Sequence, residues 1–305
     1  MNKIKLGQLE MLIAAVDAGS FSAAAIEMDC TQSRVSHAIA ELEQSLGVRL
    51  LLRSRAGCIP TDTGYQVLAK ARQIMQLADN ILNTSQEDNN VVGHVRIACF
   101  RSAGAHLLPH ALEALARDYP GIQVDVNDSC SDYEEVIQAV EQGAADIGIT
   151  RSDEHSRFLS YRLVHDFYVC VVPASSRLST PLDWEQLSDM PFIHAHNPSA
   201  RYIFDQCRAT GFNPKKSRKS ISDSGVLAVV SRGVGFTIFP QLAAFPATKE
   251  IKIIPLPFVA KRHISLIVQP EAVQSKALKI AIKLIREKRI IKMTDAFRAG
   301  IIHFD

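Results

Sequence analysis

The sequence predicts an α/β protein with three parts: a helical N-terminal head, a long helix and a larger α/β region. Its 305 residues allow roughly two domains. Apolar residues recur at helical spacing over 6–46 and at seven-residue intervals over 61–88. From residue 91 onward, short apolar runs alternate with amphipathic stretches, as in parallel sheets with crossover helices. We expect the three parts to span residues 1–60, 61–90 and 91–305.

The composition is that of an ordinary globular protein. Hydrophobic residues make up 47% of the chain and charged residues 22%, which excludes a disordered chain, a collagen-like fibre and a disulfide miniprotein. No apolar run reaches the ~20 residues needed to cross a bilayer. Charged and polar residues also interrupt the N-terminal segment where a signal peptide would have its apolar core. We therefore expect a cytoplasmic protein that has no membrane partner.

Cysteine and histidine spacing predicts neither a disulfide framework nor a metal site. The six cysteines are scattered and include no CxxC pair, so they are expected to be core residues or single thiols. His194 and His196 are two apart, but no HExxH pattern occurs. No resident cofactor is predicted.

The first 46 residues predict three short helices. Apolar spacing places them over 6–18, 21–28 and 32–46. Ser20 and Thr31 are suitable N-caps for the second and third helices. Because only a tight turn joins these two, they form a helix-turn-helix candidate.

The polar face of the third helix carries small side chains that suit a DNA major groove. The residues pointing away from its apolar stripe, or flanking them, are Ser33, Arg34, Ser36, His37, Ala40 and Gln44. An ordinary solvated helix face is the alternative, and the helix alone would favour it. The preceding helix pair and the basic segment that follows favour DNA binding instead.

That basic segment predicts a short hairpin, or wing. Residues 49–60 hold three arginines and no acid, with Arg53 and Arg55 near the expected tip. Arginines there can enter a minor groove or hold phosphates. Residues 1–90 nevertheless carry eight Lys or Arg against ten Asp or Glu. DNA affinity is therefore expected to rest on a few placed arginines rather than on bulk charge.

Residues 61–88 predict a helix that pairs with a second copy. Three rows of apolar residues repeat every seven positions: Val67, Ile74 and Ile81; Leu68, Met75 and Leu82; Ala71 and Ala78. Such a repeat is typical of helix pairing across a seam. A surface helix that packs on its own domain is the alternative. A dimer would present two reading heads to two half-sites.

The remaining region predicts two α/β lobes with a ligand cleft between them. Lobe I is expected over about 91–168 and 263–305, and lobe II over about 169–262. The lobe I pattern predicts strands at 94–100, 122–126 and 145–150, helices at 104–118 and 132–142, and a hairpin of 159–163 with 167–172. The rest predicts strands at 192–195, 218–221, 235–239 and 263–268 and helices at 199–210, 224–232 and 275–293.

The N-terminal motifs resemble those of the LysR-type transcriptional regulators. They are Gly19-Ser20-Phe21-Ser22-Ala23-Ala24-Ala25, Thr31-Gln32-Ser33-Arg34-Val35-Ser36-His37-Ala38-Ile39 and Leu46-Gly47-Val48-Arg49-Leu50-Leu51. Looser matches follow at Leu107-Leu108-Pro109 and Gly233-Val234-Gly235-Phe236-Thr237-Ile238-Phe239-Pro240. One departure is Ser33-Arg34, where family members often have Pro-Ala, so no DNA sequence preference is carried over.

The resemblance implies a winged helix-turn-helix, a dimerising linker helix and a two-lobed periplasmic-binding-protein-like effector domain. Family members commonly assemble as tetramers made of dimers and bind partly symmetric promoter sites on double-stranded DNA. A small molecule in the cleft changes how the DNA is held, and so activates or represses transcription. RNA polymerase is a further candidate partner. No catalytic role is implied.

The resemblance also assigns site residues. The expected DNA-binding residues are Ser20, Ser22, Thr31, Gln32, Ser33, Arg34, Ser36, His37, Arg53, Arg55 and Thr61. The expected effector-binding residues are Arg101, Ser102, Asp128, Ser129, Thr150, Arg151, His194, His196, Ser199 and Arg201. Their hydroxyls, arginines and helix N-termini favour a carboxylate or another small anion.

Three alternatives remain open from the sequence. The first is a regulator of the same fold that responds to oxidation of one thiol, Cys207 or Cys130. Peroxide-sensing relatives use two cysteines, but Ser199 stands near where the first is expected. The second is an α/β enzyme, although the chain lacks a Gly-rich phosphate loop and a GxSxG motif. The third is a solute-binding protein.

Overall fold

The computed structural model describes most of the chain. The described residues are 4–54, 57–82, 91–151, 157–178, 180–195, 200–220 and 222–305. The predicted site residues Arg55, His196 and Ser199 lie outside these ranges.

The N-terminal head is a three-helix unit followed by a two-stranded hairpin. Helices α1 (Leu6–Asp17), α2 (Phe21–Glu27) and α3 (Gln32–Leu46) precede the antiparallel strands β1 (Leu51–Ser54) and β2 (Gly57–Pro60). All five elements contribute to one core, in which the most deeply buried side chains include Leu12, Val35, Ile39, Leu42 and Leu50. The predicted helix-turn-helix and wing are confirmed.

Close backbone contacts attach the wing to the helices. A Cβ at residue 57 would lie 2.3 Å from the Gly19 carbonyl oxygen, and this glycine has φ +124°. The adjacent Cys58 donates its backbone N–H to the same Gly19 oxygen at 3.0 Å. Glu43 accepts hydrogen bonds from the backbone nitrogens of Leu50 (2.7 Å) and Leu51 (3.2 Å). These contacts fix where the hairpin leaves α3.

Helix α4 (Asp62–Leu82) follows the wing directly. The Thr61 hydroxyl accepts from the Gly64 N–H and donates to the Arg49 carbonyl, both at 2.9 Å. The first half of α4 packs on the head, since Leu68 and Ala71 are buried in its core. The buried Arg72 pairs with Asp17 on α1. The head and the start of α4 therefore form one unit.

Lobe I is a parallel sheet with helices on it. Strands β3 (Gly93–Phe100), β4 (Ile122–Cys130) and β5 (Ile147–Arg151) pair in parallel. Helices α5 (Arg101–His106) and α6 (Pro109–Asp118) follow β3, and α7 (Tyr133–Glu141) follows β4. The single helix predicted over 104–118 is wrong: Pro109 begins a new helix, because its ring cannot continue the helix before it.

Strand β6 (Leu159–Pro173) is 15 residues long. The hairpin predicted here is wrong. No Gly, Pro or Asn interrupts the strand before residue 173, and the one turn-favouring residue at the expected turn, Asp166, pairs with Arg262 on β11 instead. His165 and Asp166, which stood at the expected turn, are buried within the strand.

Lobe II contains a small parallel pair and the elements around it. Strands β7 (Phe192–Ala195) and β8 (Ser217–Ser220) pair in parallel. Helix α8 (Arg201–Ala209) lies between them in the chain, and α9 (Asp223–Ser231) follows β8. Strands β9 (Thr237–Pro240) and β10 (Ile251–Pro255) come next, and β10 has no counterpart in the predicted elements.

Two strands run from one lobe into the other, as predicted for a cleft between two chain crossings. Strand β11 (Lys261–Val268) pairs with residues 159–167 of β6 and with β5. Residues 168–173 of β6 pair instead with β9 and β10 of lobe II. The main sheet order is β10-β6-β11-β5-β3-β4. We call β6 and β11 the hinge strands.

The C-terminal helices complete lobe I. They are α10 (Lys276–Arg286), α11 (Lys288–Met293) and α12 (Asp295–Arg298), so the helix predicted over 275–293 is interrupted at Glu287. Leu278, Ala281 and Ile285 are buried in the lobe I core. The prediction that this amphipathic basic segment docks on the sheet is confirmed.

In the described part of the chain, no single helix is both long and apolar enough to cross a membrane. The pair Leu6–Asp17 and Phe21–Glu27 meets the length and composition criteria only jointly and is bent by 117°. Both of its helices contribute buried side chains to the head core.

Candidate functional site

The start of α3 presents an exposed polar face. Gln32, Ser33, Arg34 and His37 are exposed there, and Ser36 is half-buried. Ser22 is exposed at the start of α2. The structure thus brings the predicted base-reading side chains to one surface of the head.

Three of the predicted DNA-binding hydroxyls cap helices. The Ser20 hydroxyl accepts from the Ala23 N–H at 3.2 Å, and the Thr31 hydroxyl accepts from the Arg34 N–H at 3.3 Å. The half-buried Thr61 caps α4. A capping hydroxyl already has one hydrogen-bond partner, so its first contribution is to orient the helix that it begins.

An acidic residue on α3 was not anticipated from the sequence. Glu41 lies 3.2 Å from the His37 Nε2 and accepts from the Gln8 side chain at 3.0 Å. The hydrogen bond from Gln8 and the charge of Lys5 lower the pKa of Glu41. This carboxylate orients His37 and reduces the positive potential of the face, which leaves Arg34 as its principal exposed cation.

The wing positions the backbone of Arg53 opposite Cys58 in the hairpin. The side chain of Arg53 lies outside the described part of the structure, as does all of Arg55.

The seven-residue rows of α4 face two different environments. Leu68 and Ala71 are buried against the head, and Met75 packs beside them. Ile74, Leu77 and Ile81 remain 42%, 52% and 74% exposed. One stripe of α4 therefore packs on its own domain, and a second stripe stays exposed in the described chain.

A cavity of about 120 Å³ lies between the two lobes. Four predicted effector residues line it: Arg101, Ser102, Ser129 and His194. The other polar lining residues are Cys130, Ser131, Asp132, Tyr133, Tyr168, Ser222, Asp223, Thr237 and Arg262. Apolar walls come from Phe100, Ala200, Ile203, Phe204, Ile238, Phe239, Pro240 and Ala243. A concave space that combines apolar walls with convergent polar groups is typical of a small-molecule site, and this cavity is on the polar side of that range.

Four other predicted effector residues do not line the cavity. Thr150 is fully buried and donates to the Tyr133 carbonyl at 3.3 Å. The Arg151 guanidinium lies over the rings of Tyr133 and Tyr202. Arg201 and Asp128 are exposed, and the Arg201 side chain lies 3.8 Å from Asp205.

Arg262, which lines the cavity, belongs to a buried ion pair. Arg262 on β11 makes two hydrogen bonds to Asp166 on β6, at 2.7 and 2.8 Å. It also donates to the Tyr133 hydroxyl at 3.1 Å, and its guanidinium lies 4.8 Å from the centre of the Phe100 ring. Burial alone would lower the pKa of Arg262, but the charge of Asp166 raises it above its ordinary value. Arg262 therefore remains charged.

Two helix N-termini also reach the cavity. Asp132 caps α7 by accepting from the Glu134 N–H at 3.1 Å, and Ser222 caps α9 by accepting from the Gly225 N–H at 3.2 Å. Asp223, the first residue of α9, lines the cavity as well. Burial raises the pKa of Asp223, although the nearby Arg262 and Arg101 partly oppose the shift. The cavity thus offers both helix N-termini and a partly desolvated carboxyl group.

Sequence reasoning missed the central polar residues of the cavity. Arg262 stood just before the predicted strand at 263–268, and Asp166 was assigned to a turn. The sequence did contain a signal for these two residues, because each is a charged residue inside or beside an otherwise apolar strand. A second signal was the pair Ser222-Asp223, because Ser and Asp just before the predicted helix at 224–232 are typical of a helix N-terminus.

The structure does not favour a response to oxidation at Cys207 or Cys130. Cys207 is fully buried, and burial raises the pKa of its thiol to about 12. Cys130 lines the cavity, but burial and the charge of Glu135 raise its pKa too. Reactive cysteines instead have lowered pKa values in electropositive surroundings.

The chain matches two family models. One describes the bacterial regulatory helix-turn-helix protein of the lysR family and covers residues 6–65. The other describes the LysR substrate binding domain and covers residues 88–289. Among characterised sequences, the probable HTH-type transcriptional regulator LrrA of Synechococcus elongatus is 35% identical over 287 residues, or 93% of this chain and 97% of the relative.

Solved structures show the same fold. A full-length OxyR variant from Pseudomonas aeruginosa is 20% identical and has a TM-score of 0.71, covering 93% of this chain and 98% of that one. Full-length CbnR, solved in complex with its target DNA, is 24% identical and has a TM-score of 0.54, covering 94% and 100%.

The chain therefore belongs to the LysR family. It is a LysR-type DNA-binding transcriptional regulator with an effector-binding domain, and not an enzyme.

We expect Arg262→Gln to lower the free energy of unfolding by about 3–5 kcal/mol, because it leaves the buried Asp166 charge without its partner. Arg117→Gln is the matched control, since the Arg117–Asp118 pair is 66% and 45% exposed. The control substitution should lower the free energy of unfolding by less than about 1 kcal/mol. Urea unfolding measures both variants. Equal, small losses would show that the buried pair does not support the hinge.

Proposed function

We propose that this regulator binds promoter DNA as a dimer, through α3 and the wing of each head, and responds to a small carboxylate in the interlobe cavity. The observation that supports the effector site most directly is the polar lining of that cavity. It places Arg101 and Ser102 of lobe I together with Ser222 and Asp223 of lobe II. A ligand that contacts both sets would link the lobes, which suits a conformational response.

The lining residues favour an effector with both a carboxylate and a hydrogen-bond donor. Arg101 and the serine hydroxyls can bind a carboxylate, and the α9 N-terminus adds a favourable dipole. Arg262 contributes less net positive charge, because Asp166 already pairs with it. Asp223 is suited to accept a hydrogen bond from an amino or hydroxyl group of the ligand. An amino or hydroxy acid meets both requirements.

The head supports DNA reading by a few side chains. Gln32, Ser33 and Arg34 at the exposed start of α3 are proposed to contact base edges, with His37 beside them. Ser20, Ser22, Thr31, Ser36 and Thr61 are proposed to lie near phosphates, and Arg53 and Arg55 to serve the wing. CbnR was crystallised with its target DNA, which supports the same use of the head here.

The exposed stripe of α4 supports self-association. Ile74, Leu77 and Ile81 form an apolar row at i, i+3 and i+7 on a helix whose opposite side packs on the head. We propose that this row pairs with α4 of a second copy, and that two dimers assemble into a tetramer. The proposed boundaries remain 1–60 for the head, 61–90 for the linker helix and 91–305 for the effector domain.

A thermal-shift screen of small acids and their neutral amides tests the effector class. We expect acids to raise Tm, because binding to the native state stabilises it by mass action. Arg101→Ala should weaken the binding of any acid that raises Tm by about tenfold or more. Asp223→Asn should weaken only acids that carry an amino or hydroxyl group. Arg201→Ala is the control, since Arg201 does not line the cavity, and it should leave the affinity for the acid unchanged. Hits confined to neutral or cationic compounds would refute the proposal.

DNA contacts are tested by fluorescence anisotropy on the promoter upstream of the protein's own gene. Arg53→Ala should weaken binding to specific and unrelated DNA alike and reduce the salt slope by about 1, because it removes a phosphate contact. Arg34→Ala should instead reduce discrimination between the two DNAs. Arg117→Ala, an exposed lobe I arginine, is the control. Unchanged affinity and salt slope in both head variants would contradict the assignment.

Pairing through α4 is tested by sedimentation velocity. We expect Ile74→Glu with Ile81→Glu to convert dimers or tetramers to smaller species, because four buried carboxylates would oppose one another across the seam. Val259→Glu is the control, since Val259 is 78% exposed on the other part of the chain. An oligomeric state unaffected by the double substitution would exclude this face as the interface.

A further inference from the structure

Three histidines and an aspartate meet where the C-terminal segment crosses the hinge strands, outside the cavity. His165 on β6 lies opposite His263 on β11, one register step from the Asp166–Arg262 pair. Successive residues of a strand point to opposite faces, so these histidines face away from the cavity that Arg262 lines. The C-terminal segment covers them, because His303 exchanges two backbone hydrogen bonds with His165. Asp305 follows two residues later.

The side chains converge on one carboxylate oxygen. Asp305 Oδ1 lies 2.9 Å from His165 Nδ1 and 3.3 Å from His263 Nδ1. One ligand atom from each of the three residues lies within 4.8 Å of the others. His165 is only 5% exposed, both Nδ1 atoms are buried, and the polar group that faces each of them is the Asp305 carboxylate. Two buried imidazole nitrogens and one carboxylate oxygen are thus directed at the same point.

This geometry suits a tetrahedral metal ion. Zinc binds imidazole nitrogen and carboxylate oxygen at about 2.0–2.2 Å, which places neighbouring ligand atoms about 3.4 Å apart. The distance to His263, 3.3 Å, is close to that separation, and the distance to His165, 2.9 Å, is about 0.5 Å shorter. Two imidazoles with one carboxylate suit transition metals, whereas Mg²⁺ and Ca²⁺ favour sites built entirely of oxygen.

The charges around the cluster leave one carboxylate oxygen of Asp305 available to bind a metal ion. Arg162 lies 3.3 Å from the other carboxylate oxygen, Oδ2, and orients it away from the histidines. The exposed Lys261 adds positive charge, which lowers the pKa of His165 further below the value set by burial. A plain imidazole–carboxylate cluster is the competing interpretation, and it predicts no specific metal binding.

We propose that His165, His263 and Asp305 bind one divalent transition-metal ion, with Zn²⁺ the preferred ion and water completing its coordination. The ion would join both hinge strands to the C-terminal segment. It would therefore restrict movement of the strands that connect the lobes, on the side opposite the effector cavity. The site does not depend on the identity of the effector.

Isothermal titration of metal-free, tag-free full-length protein with Zn²⁺ tests the proposal. We expect one tight equivalent per chain. His263→Gln and Asp305→Asn should each weaken it by at least about tenfold, since each removes a ligand. His94→Gln is the matched control, because His94 also faces an aspartate, Asp125 at 2.6 Å, but at the surface. With Co²⁺ as a second probe, visible absorption bands of a tetrahedral site should appear in the wild type and in the control only.

Both ligand variants are expected to fold, because His263 and Asp305 are each 30% exposed. Their unfolding transitions without metal provide the check. Absence of a stoichiometric Zn²⁺ equivalent in the wild type would overturn the proposal. Equal affinity in both ligand variants and the wild type would also overturn it, as would an equal loss in the His94 control.

Discussion

The ion pair between Arg262 and Asp166 is the interaction on which the effector domain most depends. It joins the two strands that run between the lobes, and both partners are buried, at 2% and 0% exposure. Asp166 also accepts the Leu242 N–H of lobe II at 2.9 Å, while Arg262 donates to Tyr133 of lobe I. Because desolvated charges are costly without full pairing, these four groups must stay together. The pair therefore fixes the position of Arg262 in the cavity wall and holds the two hinge strands together.

One of these two strands, β11, leads toward the DNA-binding head. Gln269 directly follows β11 and bonds both to Gln73 on α4 and to the Val140 carbonyl at the end of α7, each at 2.5 Å. The other end of α7 lines the cavity through Asp132 and Tyr133. A ligand that moves α7 or β11 would thus act on a helix that is packed into the head. These contacts form a continuous path from the effector cavity to the DNA-binding head. Coupling along this path requires two alternative arrangements of its residues that effector and DNA each favour differently.

The sequence predicted the head more completely than the cavity. Local signals specify the head: Ser20 and Thr31 begin helices, and apolar spacing identifies the buried faces. The cavity depends on contacts between distant residues, such as Asp166 with Arg262, and no local pattern shows which polar groups will meet. Thr150 illustrates the difference, since a hydroxyl at a strand end bonds to the Tyr133 carbonyl instead of facing the ligand space. In β6, tertiary pairing extended one strand through the segment where a turn was expected.

The coupling between cavity and DNA can be measured directly through thermodynamic linkage. The affinity of the full-length protein for an effector identified by screening is determined with and without saturating promoter DNA, and the DNA affinity with and without saturating effector. Linked sites must change each other's affinity by the same factor, typically about 5–150-fold. We predict equal factors within that range. An effector that binds the cavity with the same affinity in the presence and absence of DNA would contradict a regulatory role for the cavity.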